Sequence, residues 1–363
     1  MRIAMIGSRG TPAGLGGVER VAEELAVELT ALGHEVWIYS RRGYTGDRPP
    51  AAGVGRWFSP GLGGKHLDTL THSATAAADV SARAVDLVHV HSPGPALWSW
   101  LPRLAGLPVV LTVHAPDWQR EKWSPPARWA LRAGLAVGAR TAREVTAVSE
   151  PLAAELGERL ARPVHFVPNP ARPPRGPAPP LPSELPLEAE GYALYVGRIV
   201  PEKRLSMLLE AWAEVEGLKL AVAGPWDDSP YGRACRRDAP AGVEFLGPQY
   251  GDSLDALYAH AAMVVQPSVL EGASLVLMEA ALRERLVVAA DTPANRDVLG
   301  ETAAYFPIDN PYELIRILNR YRYCTQERIG LARAGRQRVL SRNAPQTAAE
   351  ALQAIYCRAL RLD

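Results

Sequence analysis

Short apolar runs alternate with helical stripes through the first half of the chain. Apolar side chains three or four positions apart, from Val21 to Leu32, indicate a helix that Gly33 stops. A second helix is predicted to open at Ser124, a cap residue followed by proline. Runs too short for helices predict buried strands over residues 2–6, 36–39, 87–90, 109–113, 145–148 and 165–167.

The second half of the chain repeats this alternation. Strands are predicted over residues 193–196, 218–222, 243–246, 263–265 and 286–289, and one intervening helix carries Leu205, Leu208, Leu209, Trp212 and Val215 on a single face. Apolar strands that alternate with helices form parallel sheets covered on both sides. Each half therefore predicts a Rossmann-like α/β domain, whose ligand site should lie at the carboxyl ends of the strands.

A proline-rich segment separates the two halves. Residues 168–182 hold eight of the 32 prolines, and proline fixes its φ angle and cannot donate to a sheet. We predict a first domain over residues 1–169, an extended linker over 170–190 and a second domain over 191–342. A helical tail over 343–363 could return to the first domain. Two such domains joined by a linker would enclose a cleft.

Composition narrows the function classes. The net charge is +1, which gives no electrostatic case for nucleic acid, and the hydrophobic (47%) and charged (22%) fractions are ordinary for a globular protein. Cys235, Cys324 and Cys357 suggest neither a disulfide framework nor a metal site, and no apolar run approaches the length of about 18 residues that a membrane span needs. The first apolar run is too short for a signal peptide, so we predict a cytoplasmic protein.

Two glutamates stand eight positions apart across a predicted strand–loop–helix. Glu271 lies in the loop after the apolar strand, and Glu279 lies two turns inside the following helix, on the same side. The loop and helix start, over Gly272, Ala273, Ser274 and Leu275, should expose backbone N–H groups that attract anions. The alternative is an ordinary strand–loop–helix with solvated glutamates.

A second motif precedes this one by about seventy residues. A strand ends at Gly197, and Arg198 and Lys203 follow before the next helix. Two cations near a helix N-terminus oppose the helix dipole, at a cost of a few tenths of a kcal/mol each unless an anion is present. A diphosphate is such an anion, although a solvated helix start would also accommodate both cations.

A glycine-rich loop joins the first strand to its helix. It lacks the spacing of a dinucleotide-binding fingerprint, because Glu19 stands where the last glycine belongs. Gly16 and Gly17 could let backbone N–H groups approach a donor phosphate. A simple glycine-rich connector is the alternative.

These motifs together resemble the retaining glycosyltransferases of family 4 (GT4), which have the GT-B fold of two Rossmann-like domains. The start of the chain resembles members that transfer rhamnose or glucose in bacterial surface-polysaccharide synthesis, and Lys65-His66-Leu67 and residues 118–123 continue the likeness. The resemblance implies that Arg198 and Lys203 hold the donor diphosphate, Glu271 faces the transferred sugar and Glu279 binds the ribose. It implies no metal ion and no cofactor beyond the nucleotide sugar itself. It also suggests that residues 247–250 lie near the nucleobase.

His114 and Asp117 follow another predicted strand end. A histidine there is often structural, but the resemblance places it near the donor sugar, with the acceptor site beyond and Asp117 beside it. His89 and His91 are interpreted as structural. Residues 118–143 are rich in Trp and Arg, including Lys122, which suits either a solvated basic helix or a peripheral contact with anionic lipid on the inner face of a membrane.

The sequence thus predicts a retaining glycosyltransferase that moves a sugar from a nucleoside-diphosphate donor to a hydroxyl of a glycan, lipid-linked or small-molecule acceptor. Stabilising the charge on the leaving phosphate is its main catalytic task. Two alternatives remain open: a sugar-nucleotide epimerase on the same scaffold, and a non-catalytic nucleotide- or glycan-binding protein.

Overall fold

The computed structural model describes residues 1–14, 16–63, 67–121, 123–226 and 228–361. Lys65, His66 and Lys122, which the sequence analysis singled out, lie outside the described residues. The chain forms two compact units, one of residues 1–170 and 343–363 and the other of residues 171–342.

The first unit is a parallel sheet with helices on both faces. In its described part, the strands are β1 (Arg2–Ile6), β2 (Glu35–Ser40), β3 (Gly55–Phe58), β4 (Leu87–His91), β5 (Val109–Val113), β6 (Glu144–Ala147) and β7 (His165–Phe166). The helices are α1 (Gly17–Ala31), α2 (Arg42–Thr45), α3 (Leu67–Val80), α4 (Pro93–Ala96), α5 (Trp100–Leu104), α6 (Pro125–Thr141), α7 (Glu150–Leu160) and α15 (Pro345–Leu360), and Asp117–Gln119 form a short 3₁₀ turn.

The strand order in this sheet is β3-β2-β1-β4-β5-β6-β7, and every pair is parallel. From β1 the chain adds β2 and β3 on one side of the sheet. It then crosses back, and β4 to β7 are added on the other side of β1. The order therefore reverses between β1 and β4, and a crevice for ligands is expected at the carboxyl ends of these two strands. The glycine-rich loop follows β1, and His91 ends β4.

The C-terminal helix α15 belongs to the first unit. It packs on α1 and also touches β5 and β6. The Tyr356 hydroxyl lies 2.8 Å from Nδ1 of His89, and Arg143 donates to the carbonyl of Ala359 at 2.5 Å. Asn343, just before α15, donates to the carbonyl of Asn169 at 2.9 Å.

The second unit has the same kind of architecture. Its described strands are β8 (Tyr192–Val196), β9 (Lys219–Ala223), β10 (Val243–Gly247), β11 (Met263–Gln266), β12 (Leu286–Ala290) and β13 (Ala304–Phe306). Its helices are α8 (Leu205–Trp212), α9 (Pro230–Arg237), α10 (Gly251–His260), α11 (Leu275–Leu282), α12 (Pro293–Leu299), α13 (Pro311–Tyr323) and α14 (Thr325–Arg342), with a 3₁₀ turn over Pro201–Lys203.

The strand order of this sheet is β10-β9-β8-β11-β12-β13, again parallel throughout. The order reverses between β8 and β11, so the segments that follow these two strands meet at the switch point. The segment after β8 carries Arg198 and Lys203, and the segment after β11 carries Glu271. The fold of this sheet, and not chain proximity, therefore brings the two sequence motifs to one place.

Two edge strands are absent from the sequence prediction. β3 contains glycine, arginine and two aromatic residues, and β13 has only three residues, so neither shows an apolar run of useful length. The proline-rich stretch has no regular element, but it is anchored. Leu181, Leu185 and Leu187 pack on the core of the second unit, and Lys219 donates to the carbonyl of Pro186 at 2.6 Å.

None of the helices in the described residues is both long and apolar enough to cross a membrane.

Candidate active site

The ends of β8 and β9 approach each other closely in the second unit. Gly224 has a φ of +153°, and a Cβ atom at this position would lie 1.9 Å from the carbonyl oxygen of Gly197. The Gly197 amide donates to the carbonyl of Ala223 at 3.0 Å, and the Ile199 amide donates to that of Pro225 at 3.2 Å. Only glycine fits at position 224, and its absence of a side chain keeps the backbone open where Arg198 emerges.

Lys203 and Glu271 form an ion pair at the switch point. The Lys203 ammonium donates to Oε1 of Glu271, and each side chain is only 12% exposed. The two segments are also joined through their backbones, because the Val269 amide and the Ser268 hydroxyl both donate to the carbonyl of Glu202, at 3.1 and 3.3 Å. Residues 68 positions apart thus form one charged cluster.

Gln266 belongs to this cluster, and sequence reasoning missed it. Its side chain is fully buried, and its Nε2 donates to Oε1 of Glu271 at 3.1 Å. The same nitrogen lies 3.5 Å from Oγ of Ser274. The signal that could have found Gln266 is an amide that ends an otherwise apolar strand, since buried polar groups need partners. The hydrogen bond from Gln266 thus restricts the Glu271 carboxylate.

The helix α11 begins beside this cluster. It starts at Leu275 with Ser274 as its N-cap, and the Ser274 side chain makes no capping hydrogen bond. The first N–H groups of a helix have no partner within the helix, so this end carries positive potential. Gly272 is buried and Ala273 is half-buried in the preceding loop. The predicted anion-binding residues therefore lie next to the Lys203–Glu271 pair in the chain.

Glu279 is held by a tyrosine. The Tyr258 hydroxyl, on α10, donates to Oε2 of Glu279 at 2.8 Å. Glu279 is half-buried on α11, two turns after Glu271. Tyr258 therefore helps to fix the orientation of the Glu279 carboxylate.

Arg198 is exposed, and its backbone rests on a buried tyrosine. The Tyr195 hydroxyl donates to the Arg198 carbonyl at 3.1 Å, and burial raises the pKa of Tyr195 well above its ordinary value. Tyr195 therefore remains a neutral donor that fixes the turn carrying Arg198. At the end of β10, a Cβ atom on Gly247 would lie 3.7 Å from the ring of the exposed Trp226, and Tyr250 is 49% exposed.

In the first unit, carboxylates of α1 turn back onto the glycine-rich loop. Glu19 accepts from the Arg9 amide at 3.1 Å, and Glu23 accepts from the Ala13 amide at 2.7 Å. Gly16 is the N-cap of α1, which begins at Gly17, and a Cβ on Gly16 would lie 1.5 Å from Oε2 of Glu19. The space beside Gly16 is thus filled by a carboxylate, so the predicted phosphate contact there requires Glu19 to move.

Three buried histidines lie together on β4 and just after β5. Nδ1 of His91 and Nε2 of His114 are 3.0 Å apart, so one ring donates and the other accepts. The ring centroids of His89 and His91 are 4.1 Å apart, and Nε2 of His89 lies 2.7 Å from the Thr112 hydroxyl. Burial lowers the pKa of His89 to about 3 and that of His114 to about 4. All three rings are therefore neutral at physiological pH.

Asp117 is ion-paired within its own turn. Its Oδ1 accepts from Nε of Arg120 at 2.6 Å, and its side chain is 24% exposed. The Asp117 charge opposes the burial effect on the pKa of His114 without overcoming it. His114 is 9% exposed, and its Nε2 faces His91. Any substrate contact must therefore use the other side of its ring.

Among the described residues, no three His, Cys, Asp or Glu side chains are grouped so that they could hold a metal ion. The expectation that no metal is needed remains a prediction.

Two family models match the chain, one on each unit. The model described as Glycosyltransferase Family 4 matches residues 15–173, and the model described as Glycosyl transferases group 1 matches residues 190–321. The two motif loops of the second unit fall within the second match, and the first match includes Gly16, Gly17, His114 and Asp117.

Curated relatives share shorter stretches. The O-antigen chain mannosyltransferase B of Escherichia coli is 31% identical over 138 residues, which are 35% of this chain and 36% of that protein. The D-inositol 3-phosphate glycosyltransferase of Mycobacterium avium (strain 104) is 38% identical over 103 residues, which are 26% of this chain and 24% of that protein.

Solved structures match over nearly the whole chain. HepE of Anabaena, crystallised with UDP and glucose, has a TM-score of 0.79 and 17% identity, and the match covers 98% of this chain and 99% of that one. The sucrose-phosphate synthase of Thermosynechococcus elongatus has a TM-score of 0.80 and 21% identity, with both chains covered completely. Likeness at these identities shows the fold, and the predicted GT-B class of two Rossmann-like units is confirmed.

Proposed function

We propose that this chain, which belongs to the glycosyltransferases of the family 4 type, moves a sugar from a nucleoside-diphosphate donor to a hydroxyl of a glycan, lipid-linked or small-molecule acceptor. The observation that carries the proposal is the cluster at the switch point of the second unit. There Lys203, Glu271 and Gln266 form one hydrogen-bonded group beside the uncapped start of α11.

The cluster provides the positive charge that stabilises a departing nucleoside diphosphate. Negative charge grows on the leaving phosphate, and fixed cations and amide dipoles stabilise it without reorganising at the moment of reaction. The Lys203 ammonium has three N–H groups, so it can keep Glu271 and still donate to a phosphate. Arg198 is exposed and can offer a planar fork to a second phosphate. These groups would stabilise the phosphate charge that a metal ion stabilises in other enzymes, so addition of a chelator should leave turnover unchanged.

Glu271 suits an orienting role better than that of a nucleophile. Its Oε1 accepts from both Lys203 and Gln266, which stabilises the ionised carboxylate and restricts its movement. We assign it to the hydroxyls of the transferred sugar, where its charge also steadies an oxocarbenium-like state. Glu279, held by Tyr258, is assigned to the ribose. The acceptor is proposed to attack from the leaving-group side, with a donor phosphate oxygen taking its proton, so that the anomeric configuration is retained.

His114 and Asp117 are proposed substrate contacts of the first unit, and Gly16 and Gly17 are proposed to approach a donor phosphate once Glu19 moves. A peripheral contact with anionic lipid is proposed for α6, because Trp129 is 71% exposed there, near Arg132, which is also exposed. Trp129→Ala should then reduce cosedimentation with anionic vesicles, and unchanged cosedimentation would contradict this contact.

A panel of nucleotide sugars tests the function. The protein is incubated with UDP-, GDP-, ADP- and dTDP-sugars, starting with UDP-glucose because HepE was crystallised with UDP and glucose. Release of nucleoside diphosphate identifies a transferase, through slow hydrolysis or transfer. Isomerised nucleotide sugars would identify the epimerase alternative, and binding without turnover would identify a binding protein.

A further inference from the structure

A cavity of about 770 Å³ lies in the first unit, at the carboxyl ends of three neighbouring strands. Arg9 comes from the loop after β1, Arg41 and Arg42 follow β2, and Ser59 follows β3. Ligand sites of doubly wound sheets occur at this edge, and the volume is that of a pocket for a small organic molecule. The cavity shares no residue with the proposed donor site of the second unit.

The lining is positively charged. Arg9, Arg41 and Arg42 line the cavity together with a single carboxylate, that of Asp68. Guanidinium groups stay protonated in proteins, so the lining residues carry a net charge of +2, that is, three positive charges and one negative. Glu19 lies at the margin, with its Oε1 3.9 Å from Nε of Arg9, and the Arg9 side chain is 53% exposed.

Arg41 is the least solvated of the three cations. Its side chain is 11% exposed, and its Nη1 donates to Oδ2 of Asp68 at 2.6 Å. Its Nε is buried and has no hydrogen-bond partner in the part of the chain that the structure describes. Burial lowers the pKa of Arg41, and the nearby charge of Arg9 acts in the same direction. The charges of Asp68 and Glu19 oppose this lowering without cancelling it, so the Arg41 cation is incompletely compensated.

The other two cations, Arg9 and Arg42, each lie over an aromatic ring. The Arg9 guanidinium carbon lies 5.5 Å from the centre of the Tyr44 ring, and that of Arg42 lies 5.0 Å from the centre of the Phe58 ring. Across the described residues, Arg42 has no carboxylate within ion-pair distance, and it is exposed. Stacking restricts long side chains before a ligand arrives, which reduces the entropy lost on binding.

We infer that this pocket binds a phosphate or diphosphate group carried by the acceptor. Guanidinium forks match phosphate oxygens in pairs, and the cavity has room for a sugar or alkyl group beyond the anion. The assignment of the phosphate to an acceptor rests on the proposed function, because only a transferase has an acceptor. The anion site itself stands on the geometry of the first unit.

Titration calorimetry on the full chain, with saturating UDP present, tests the pocket. One arm uses glucose 1-phosphate, the second uses farnesyl diphosphate below its micellar concentration, and glucose serves as the uncharged comparator. We expect both phosphate probes to bind and glucose not to bind. Tighter binding of glucose 1-phosphate would indicate a sugar-phosphate acceptor, and tighter binding of farnesyl diphosphate a lipid-linked one.

Arg42→Gln is the test variant, because Arg42 is exposed and its loss should not disturb the fold. This variant should raise the Kd of the phosphate probes by about tenfold or more, which is the scale of a lost charged hydrogen bond. Arg103→Gln removes the same charge from an exposed position on α5 of the same unit, away from the cavity lining, and should leave the Kd within about twofold. Binding should also weaken at higher salt.

The outcomes separate this inference from the proposed function. Equal affinity in the wild-type protein and Arg42→Gln, or failure of both phosphate probes to bind while UDP is present, would overturn the pocket assignment. If phosphate binding depends on Arg42 but no nucleotide sugar is turned over, the proposed function fails and the anion site stands. Turnover of a donor without any phosphate binding refutes the pocket alone.

Discussion

Lys203→Met removes one partner of a nearly buried ion pair and leaves the other in place. Breaking a fully buried pair in this way costs about 3–5 kcal/mol. Lys203 and Glu271 are each 12% exposed, and Glu271 keeps its hydrogen bond from Gln266, so we expect a loss of about 2–3 kcal/mol. For a unit of this size, the melting temperature should fall by about 4–12 °C.

The double variant Lys203→Met with Glu271→Gln separates stability from catalysis. It should recover most of the lost stability, because no uncompensated charge remains in the cluster. Turnover should remain about 10²–10³-fold below that of the wild-type protein, since the cation that stabilises the leaving phosphate is still missing. Arg198→Ala should reduce turnover on the same scale while the fold stays intact.

Scanning calorimetry suits this measurement because it can resolve separate transitions of two units. The matched control is Arg316→Met, whose partner Glu313 is 30% exposed while Arg316 is 63% exposed. An exposed pair contributes at most about 1 kcal/mol. A melting temperature for Lys203→Met equal to that of the control would refute the claim that the pair is desolvated. Near-normal turnover in both Lys203→Met and Arg198→Ala would refute their catalytic roles.

Three further predictions concern the ribose, the stereochemistry and the buried histidines. Glu279→Ala should weaken UDP binding by about 1.5–3 kcal/mol but weaken 2′-deoxy-UDP binding less, and equal losses by calorimetry would show that Glu279 does not touch the ribose. An α-linked UDP-sugar should give a product that keeps its anomeric configuration in proton NMR. An inverted product would make His114 or Asp117 the favoured base. The first unit should lose stability as the pH falls from about 6.5 toward 4, because the unfolded chain takes up protons that the folded histidines, with their lowered pKa values, do not. His89→Asn should flatten the decline in melting temperature between pH 6.5 and 5, and an unchanged slope would contradict the assignment.

The amino-acid sequence by itself determined most of the strands and several of the helices. Strands of a parallel sheet are covered on both faces, so their apolar runs are visible without knowledge of their neighbours, as at Arg2–Ile6 and Val109–Val113. The start of α11 near Ser274 followed from the change of period after β11. β3 and β13 were missed because short edge strands of mixed composition lack such a run.

Only the tertiary structure decided which of these elements meet. Lys203 contacts Glu271, 68 positions away, because β8 and β11 are adjacent in the sheet, and local periodicity contains no information on strand order. The contacts of Gln266 with Glu271, of Tyr356 with His89, and the cavity formed by three loops depend on the same long-range pairing. The sequence therefore indicates which residues can take part in chemistry, and the packing of distant segments determines which of them share a site.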